Sequence, residues 1–529
     1  MNKSNERQII NDKFLLVLIL TIGVIIRLFM FFNLPIIQKD SPLYLYQAMV
    51  LATGNLNLLD LCGLSSRIKE INLFSMVIVP FYYLCQDWEI AGKLVSFFSS
   101  SLSLILLYLI LKRFFQGSIL YMTLLVFCFN PTLVKESAEI MRESFYTFLA
   151  LIGILSFING YESSKIYKRC LFFSLSNLFW LLSAWVRIEG FLFILFSLFF
   201  LIIKLLISKD KKEWLFMVIY FSVIPIIILI IGFIYLISYK SFFLVEIKGK
   251  LTLLNPFEQP FAKELKNFRY LSIPSPSPYF WDMVKQNLWL IAFGTTFFYK
   301  FIPALHFPIF LIFLAGLKRM VSFVKEKPLS LYFVIISIGY LVCLWYFTFT
   351  KWYMEKRYLL PLLYSVSIIV GLGLLTTKEF LIKKFNISSK LVVIFLMIYI
   401  IVSSAVKIFQ KERIEKLDLK ILASKIVKDV PYGKIKSCSE KACKDLVFTN
   451  DPRILFYISN ITSVPLCPSV EDRFFYNNLG KKSMDEIVRY IVSKNYKAVI
   501  LEAEVFKEKT EIIKQRLNSL SIKVYILYK

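Results

Sequence analysis

Long apolar segments, each separated from the next by a short polar stretch, constrain the fold of this chain more than any other feature of its sequence. Hydrophobic residues make up 57% of its 529 residues, and the mean hydropathy is +0.65. Soluble domains are about 45–50% apolar, whereas about 20 consecutive apolar residues suffice to cross a bilayer. The sequence therefore predicts an α-helical polytopic membrane protein.

The strongly basic composition indicates a membrane topology rather than a nucleic-acid partner. The formal net charge is +27, and most lysines and arginines lie in short loops between apolar segments. Positive charge in such loops marks the cytoplasmic side and contacts anionic headgroups. The chain has one histidine, His306. This argues against a histidine-rich metal site or a histidine-based triad, so acid–base chemistry would need carboxylates, tyrosine or lysine.

Hydropathy and loop charge together predict about eleven spans and the side of each terminus. The first span follows a polar segment with Lys3, Arg7 and Lys13, and no small-residue cleavage site follows it. We therefore expect an uncleaved first helix in the cytoplasmic (inner) membrane, a cytoplasmic N-terminus and, after an odd number of spans, an extracytoplasmic tail. The predicted spans are 14–36, 90–111, 118–134, 144–158, 170–186, 190–207, 214–239, one within 288–317, 331–349, 359–375 and 391–408.

Two apolar pieces are expected to lie along the membrane surface. Residues 73–85 are too short to span comfortably and are bounded by Asp87 and Glu89, so they are predicted to be interfacial or re-entrant. The region 288–317 is interrupted by Lys300 and Pro303, which predicts an interfacial helix followed by the eighth span.

This topology divides the chain into a transmembrane domain, residues 1–408, and a small extracytoplasmic α/β domain, residues 409–529. The transmembrane domain contains a first outer loop, 37–89, and a long outer loop, 240–287. In the tail, apolar runs that favour strands alternate with helical patterns, which is typical of a small parallel sheet. The predicted strands are 445–449, 496–501 and 522–528, and the predicted helices are 483–493 and 506–517. No glycine-rich phosphate loop is present, which argues against a nucleotide site.

Five cysteines would lie on the outer side in this topology, where disulfides can form. They are Cys62, Cys85, Cys438, Cys443 and Cys467. Their spacing is not that of a zinc site, and it leaves disulfides and free thiols equally open.

Asp40 follows the first span and is the first candidate for acid–base chemistry. A carboxylate at the outer end of a helix could take a proton from a sugar hydroxyl at a membrane-embedded site. The run Asp40-Ser41-Pro42 also suits the N-cap of a following helix, and both interpretations remain open. Arg27, inside the first span, is a costly intramembrane charge, and we expect an acid from a neighbouring span to pair with it rather than snorkelling to the interface.

Two predicted outer turns carry further charged candidates. Glu139 and Glu143 are four residues apart, with Arg142 between them, so on a helix they would share a face that could bind a cation or orient sugar hydroxyls. An acidic helix start that matches the helix dipole is the alternative. Arg187 and Glu189 separate the fifth and sixth spans; Arg187 could contact a lipid phosphate or form a surface pair with Glu189.

A basic cluster precedes the tenth span, on the side where the distribution of positive charge does not favour one. It consists of Lys351, Lys356 and Arg357, followed by Tyr358. A phosphate leaving group held in the outer leaflet would need such residues. Pairing with Glu355 and with lipid headgroups is the alternative. His306 is expected to be a packed histidine rather than a metal ligand.

These positions together resemble an integral-membrane glycosyltransferase of the GT-C superfamily, and more narrowly the bacterial protein-mannosyltransferase-like or aminoarabinose-transferase-like group. The resemblance covers roughly residues 14–408. It rests on the order and sidedness of an aspartate after the first helix, with Tyr44 and Ala48 at helical spacing, and of five loose motifs. The motifs are Lys112-Arg113-Phe114-Phe115, Asn130-Pro131, Arg142-Glu143, Val186-Arg187-Ile188-Glu189-Gly190 and Lys356-Arg357-Tyr358-Leu359-Leu360-Pro361-Leu362-Leu363.

The resemblance implies sugar transfer from a polyprenyl-phosphate-linked donor to a glycan, lipid or protein acceptor at the outer face. Asp40 would be the base that activates the acceptor, and attack at the anomeric carbon would invert its configuration. Many members of the group have two adjacent acids in the first outer loop, whereas Ser41 follows Asp40 here. This departure puts metal dependence in question: the resemblance implies no certain cofactor and leaves a divalent cation, Mg²⁺ or Mn²⁺, open. The implied substrate- and donor-binding residues are Tyr44, Glu139, Arg142, Glu143, Arg187, Glu189, Lys351, Lys356, Arg357 and Tyr358.

Three other functions fit parts of the pattern. A transporter or lipid flippase would show internal repeats and helices broken at mid-membrane, and the sequence has no convincing repeat. A polysaccharide polymerase or ligase would use the same kind of donor and a large basic outer loop, which 240–287 could supply. A membrane scaffold without catalytic activity would only present the tail.

Overall fold

The fold is that of a computed structural model, which describes residues 3–34, 37–38, 40–54, 71–238, 287–351, 353–409, 418–429, 447–448, 452–462, 484–493, 498–502, 509–519 and 523–527. The predicted loop 240–287, apart from Asn287, lies outside these residues, and so do Cys62, Cys438, Cys443 and Cys467. The chain divides into two compact units. The bundle unit comprises Met1–Arg27, Ser99–Glu136 and Glu143–Phe409, and the tail unit comprises Leu28–Phe98, Ser137–Arg142 and Gln410–Lys529.

Helices form most of the described chain. They are α1 (Lys3–Asn33), α2 (Ser41–Thr53), α3 (Leu73–Cys85), α4 (Trp88–Leu111), α5 (Gly117–Cys128), α6 (Pro131–Glu136), α7 (Arg142–Glu162), α8 (Ile166–Val186), α9 (Gly190–Ile207), α10 (Lys211–Ser238), α11 (Leu288–Leu305), α12 (Phe307–Glu326), α13 (Ser330–Lys351), α14 (Leu360–Ser365), α15 (Ser367–Phe385), α16 (Ser389–Ile408), α17 (Asp418–Asp429), α18 (Pro452–Thr462), α19 (Met484–Ser493) and α20 (Lys509–Ser519). Helix α11 contains a π-helical turn at Thr295–Phe301, and a 3₁₀ turn at Lys356–Leu359 leads into α14.

Nine helices in the described residues are long and apolar enough to cross a membrane, which confirms the prediction of a multi-pass helical membrane protein. They are Lys13–Asn33 of α1, and α4, α7, α8, α9, α11, α12, α13 and α16. A tenth span forms if Lys356–Ser365 and α15, bent by 63° from each other, count as one. The predicted number, about eleven, differs because it includes the shorter α5 and also α10, and because it assigns one span rather than two to 288–317.

Charged contacts distinguish the two ends of the bundle unit. At one end, which we name the basic end, Lys327 Nζ donates to the Phe114 carbonyl at 2.8 Å and Arg113 pairs with Glu162 at 2.7 Å. Helix α5 leads from there to the opposite end, the site end, where Asn130 Nδ2 donates to the Leu305 carbonyl at 3.2 Å. The basic end coincides with loops that the sequence assigns to the cytoplasm; that assignment stays a prediction.

Helix α11 contacts the site end along its whole length. Trp345 Nε1 donates to the Trp289 carbonyl at 3.0 Å, and the Thr296 hydroxyl donates to that of Thr348 at 2.8 Å. At the other end of α11, the Leu305 carbonyl accepts the hydrogen bond from Asn130. Helix α13 starts near the basic end, so Trp345 and Thr348 lie toward its far end. Although α11 is long and apolar enough to cross a membrane, we infer from these contacts that it runs along the site end rather than from one end to the other. That it lies at the membrane interface stays a prediction.

Helices α12 and α15 approach each other closely in the bundle unit through two glycines. A Cβ atom on Gly316 would lie 1.9 Å from the Ile369 carbonyl oxygen, and one on Gly373 would lie 1.8 Å from that of Ile312. Membrane helices often approach through such small residues, because lipid offers no hydrophobic drive to associate and close packing takes its place. The glycines therefore fix the position of α15, and hence of the turn that precedes it.

The tail contains a sheet of three parallel strands in the order β1-β2-β3. The strands are β1 (Val447–Phe448), β2 (Ala498–Glu502) and β3 (Lys523–Leu527), and they overlap the three predicted strand segments. Val447 pairs with Ala498, and Val499 pairs with Val524. Helix α19 precedes β2, and α20 connects β2 to β3 and contacts β3. That residues 409–529 form a domain of their own stays a prediction.

Candidate active site

Arg187 is the centre of a buried group of charges at the site end of the bundle unit. Its side chain is 6% exposed. Its Nη1 donates to Glu143 Oε1 at 2.6 Å, and its Nη2 donates to Glu189 Oε1 at 2.6 Å. Its Nε also donates to the second oxygen of Glu189, at 3.2 Å. The guanidinium is thus held in one orientation by two carboxylates, one of them bidentate.

The tight connection between α8 and α9 places Arg187 and Glu189 side by side. Arg187 is extended, and its carbonyl accepts a hydrogen bond from the Gly190 amide at 2.9 Å. A Cβ atom on Gly190 would lie 2.3 Å from the backbone nitrogen of Ala184. Only glycine therefore lets α9 begin so close to the end of α8.

Arg357, in the turn before α14, belongs to the same group of buried charges. Its Nε lies 2.5 Å from Glu355 Oε2 and 3.8 Å from Glu143 Oε1, and its side chain is 4% exposed. The ring of Tyr358 lies beneath both guanidinium groups, 4.5 Å from Arg187 and 5.4 Å from Arg357. The structure therefore brings together five predicted residues: Glu143, Arg187, Glu189, Arg357 and Tyr358.

We name Glu143, Arg187, Glu189, Glu355 and Arg357 the arginine–glutamate cluster. Two positive and three negative side chains give it a net charge of −1 when all are ionised. Burial lowers the pKa of Arg187, but the charges of Glu189 and Glu143 outweigh it and hold this pKa well above its usual value. Arg187 is thus a permanent cation whose charge is already balanced by carboxylates.

The remaining predicted lysines lie near this cluster in sequence but are more accessible. Lys351, in the last turn of α13, is partly buried, and Lys356, which opens the 3₁₀ turn, is exposed. The charge of Lys356 acts on Lys407, in the last turn of α16. Lys407 is not among the residues predicted from the sequence, although a lysine at the predicted outer end of the last span carries the same signal as Lys356.

The other predicted residues, Asp40, Tyr44, Glu139 and Arg142, belong to the tail unit. Asp40 is exposed at the start of α2, and its side chain makes no capping hydrogen bond to that helix. Asp40 thus stands at the N-cap position of α2, as the alternative interpretation predicts, but without a capping bond from its side chain. Tyr44 is buried, and the guanidinium of Arg142 lies 5.8 Å from the centre of its ring. Glu139 is fully buried.

The segment before Asp40 is fastened to the C-terminal part of the chain. The Ile37 amide donates to the Tyr457 hydroxyl of α18 at 3.1 Å. Lys93 Nζ donates to the Leu34 carbonyl at 2.9 Å and pairs with Glu89 at 2.8 Å. Glu89 in turn pairs with Lys420 of α17 at 2.9 Å. These bonds fix the backbone from which the Asp40 carboxylate projects.

Arg27 corrects one prediction, because no acid of the described residues pairs with it. Its Nε donates to Ser100 Oγ at 2.9 Å, and its Nη1 donates to the carbonyls of Gly23 and Cys128 at 3.0 and 3.2 Å. The side chain is fully buried. Carbonyl and hydroxyl dipoles, rather than a carboxylate, therefore solvate this charge inside the bundle unit.

The predicted cation and disulfide sites concern side chains that the structure describes only in part. No group of three or more His, Cys, Asp or Glu side chains there is arranged to hold a metal ion. The carboxylates of the arginine–glutamate cluster are bound by guanidinium groups, which compete with a cation. Among the predicted cysteines, the structure describes Cys85, a free thiol whose Sγ lies 3.1 Å from the Phe81 carbonyl.

Comparison with known proteins identifies the fold. No protein-family model matches the chain, and no curated protein matches it in sequence. The apo oligosaccharyltransferase of Archaeoglobus fulgidus aligns with a TM-score of 0.56 at 10% identity, over 95% of this chain and 68% of that chain. The same archaeal enzyme, AglB, in complex with an inhibitory peptide and a dolichol-phosphate, gives 0.53 at 11% identity over the same shares. The chain thus has the GT-C fold, as its sequence predicts.

Proposed function

We propose that this protein transfers a sugar from a polyprenyl-phosphate-linked donor to an acceptor at the outer face of the cytoplasmic membrane. The observation that carries the proposal is the buried arginine–glutamate cluster at the site end of a GT-C fold. Buried charges are costly in a membrane protein and are retained where they serve a site. A structural role alone would be met as well by apolar side chains of similar volume.

Asp40 is the proposed base. Its carboxylate takes the proton of an acceptor hydroxyl while that oxygen forms a bond to the anomeric carbon of the sugar. The bond from this carbon to the phosphate oxygen breaks on the opposite face, so the configuration inverts and the polyprenyl phosphate leaves. Asp40 is exposed and held by a fastened backbone, which supports this role because a base must reach its proton with fixed geometry.

The arginine–glutamate cluster is proposed to bind the sugar. The carboxylates of Glu143 and Glu189 accept hydrogen bonds from sugar hydroxyls, and Arg187 and Arg357 hold these carboxylates in place. The ring of Tyr358 supplies an apolar face of the kind on which a sugar ring packs. Tyr44, Glu139 and Arg142 are proposed to contribute substrate contacts on the tail unit.

An apolar cavity supports a lipid-linked donor. It lies among α11, α12, α13 and α14 in the bundle unit and has a volume of about 230 Å³. Phe297, Phe313 and Leu362 line it, and its lining is apolar apart from Ser337. A cavity with such walls suits a hydrocarbon chain rather than a polar solute.

A transporter that moves lipid-linked sugars is the second candidate. The bend of 63° between Lys356–Ser365 and α15 favours it, because interrupted helices form the substrate sites of many transporters. This bend also places Lys356 and Arg357 at the site end, which the transferase needs equally.

Asp40→Asn in reconstituted protein tests the transferase. Transfer of labelled sugar from a polyprenyl phosphate is expected to fall by about 100-fold or more, the usual effect of losing a general base. Asp210→Asn, an exposed aspartate before α10, is the control and should keep full transfer. Undiminished transfer in Asp40→Asn, with protein inserted normally, would rule out Asp40 as the base. Movement of the lipid across the bilayer without any sugar transfer would favour the transporter.

A further inference from the structure

The two arginines of the arginine–glutamate cluster are poorly placed to hold the phosphate of a donor. Each already contacts carboxylates, Arg187 those of Glu143 and Glu189, and Arg357 those of Glu355 and Glu143. The cluster as a whole is negative, so a phosphate approaching it would meet net repulsion. A phosphate needs cations whose charge is not already neutralised.

Lys356 and Lys407 are such cations. No carboxylate within the described residues pairs with either lysine, whereas their own charges act on each other. The turn Lys356–Leu359 and helix α16 both contact α6, so the two lysines belong to elements that share one neighbour at the site end. Two like charges that act on each other in this way repel unless an anion binds with them.

His306 adds a buried polar group beside Lys407. His306 is 6% exposed, and its ring interacts with the charge of Lys407 and with the backbone of Ser403. Burial, then the charge of Lys407, lower the pKa of His306, so the ring stays neutral near pH 7. A neutral imidazole can donate one hydrogen bond without adding a third charge to the pair.

We propose that Lys356 and Lys407, rather than Arg187 and Arg357, bind the phosphate of the polyprenyl carrier. This inference rests on the proposed function, and it assigns the phosphate and the sugar to different side chains of the bundle unit. Lys356 and Lys407 stabilise the charge that develops on the phosphate oxygen as the bond to the sugar breaks. The chemical class recognised is a phosphate carried by a long isoprenoid chain: a phosphodiester while the sugar is attached, and a monoester once the sugar has left.

Binding of undecaprenyl phosphate to the purified full-length protein tests the proposal. Lys356→Ala and Lys407→Ala are each expected to raise the Kd about tenfold, as for a lost charge-assisted hydrogen bond. Lys407→Arg should stay within about threefold of the natural protein, because it keeps the charge. Lys390→Ala, an exposed lysine at the opposite end of α16, is the matched control and should leave the Kd unchanged.

Two further probes separate a headgroup contact from a structural effect. Undecaprenol, which lacks the phosphate, should bind all variants equally, whereas a parallel loss would mean that the lysines only support the fold and would overturn the proposal. Inorganic phosphate should compete weakly, because it lacks the chain. Inorganic phosphate that binds as tightly as the lipid would overturn the assignment to the carrier.

The same variants distinguish this proposal from the proposed function. Sugar transfer with an unchanged KM for the donor in Lys356→Ala and Lys407→Ala would refute the lysine site and leave the transferase standing. Lysine-dependent binding of undecaprenyl phosphate in a protein that transfers no sugar from any donor would support the lysine site and refute the transferase.

Discussion

Arg187 Nη1 donates a hydrogen bond to Glu143 Oε1 at 2.6 Å, between side chains that are 6% and 4% exposed. The two residues are 44 positions apart in the sequence and stand at the ends of different helices, α8 and α7. This pair joins the two helix ends in the bundle unit, and Arg357 approaches the same carboxylate from a third element. Stability and site geometry therefore depend on the same contact.

Arg187→Ala should destabilise the protein by about 3–5 kcal/mol, because it leaves the buried carboxylate of Glu143 without its main partner. Thermal unfolding in detergent, followed by tryptophan fluorescence, measures the loss. Glu143→Gln keeps the shape and one acceptor, so it should cost clearly less than Arg187→Ala. Equal stability of Arg187→Ala and the natural protein would show that water or another cation replaces Arg187 as the partner of Glu143.

Gly316→Ala should destabilise the bundle unit by about 1–3 kcal/mol, the usual cost of overpacking. The added Cβ would meet the Ile369 carbonyl oxygen at 1.9 Å, and backbone on a packed helix cannot yield cheaply. Gly373→Ala should destabilise the bundle unit by a similar amount. Gly294→Ala is the control, since nothing lies within 4 Å of its Cβ position. A Gly316→Ala protein that unfolds at the temperature of Gly294→Ala would contradict the close approach of α12 and α15.

His306→Gly should be more stable than His306→Ala by about 1 kcal/mol, although both remove the imidazole. His306 has a φ of 77°, a region that side-chain-bearing residues rarely occupy. Alanine keeps that backbone strain, whereas glycine releases it. Part of this gain in stability is offset because glycine gains more conformational entropy on unfolding. The difference between the melting temperatures of His306→Gly and His306→Ala measures this effect. A more stable alanine variant would mean that the connection between α11 and α12 relaxes to negative φ.

Tyr457→Phe should lower the kcat of sugar transfer by about threefold to tenfold, because the Ile37 amide loses its acceptor and the Asp40 segment is less well fixed. Ile37 is 1% exposed, so water cannot easily replace the hydroxyl. Tyr399→Phe, a more exposed tyrosine on α16, is the control. An unchanged kcat in Tyr457→Phe would show that the tail does not position Asp40.

Hydropathy was sufficient to place most helices, because length and apolarity decide whether a segment enters lipid. The predicted span 190–207 coincides with α9, and the break at Arg187-Ile188-Glu189 was visible because so few polar residues interrupt two apolar runs. The side-by-side arrangement of Arg187 and Glu189 followed from that short connection alone. Such local features depend on neighbouring residues and are therefore readable from sequence.

Contacts between distant segments were not readable in the same way. The bond between Ile37 and Tyr457 joins residues 420 positions apart, and no local pattern marks either partner. The sequence predicts an acid beside Arg27, but helix carbonyls and a serine solvate it, and none of the described carboxylates pairs with it. Lys407 was missed because a lysine near a span end is common, and only packing shows that Lys356 lies near it.

Helix α11 has a consequence for the surrounding lipid. Trp289, Phe298 and Tyr299 are 50%, 62% and 68% exposed on a helix that runs along the site end. Aromatic side chains of this kind settle at the boundary between acyl chains and headgroups. Helix α11 would thus hold the protein at a set depth in the bilayer. A thicker or thinner bilayer would have to deform around α11 before the height of the proposed reaction changed.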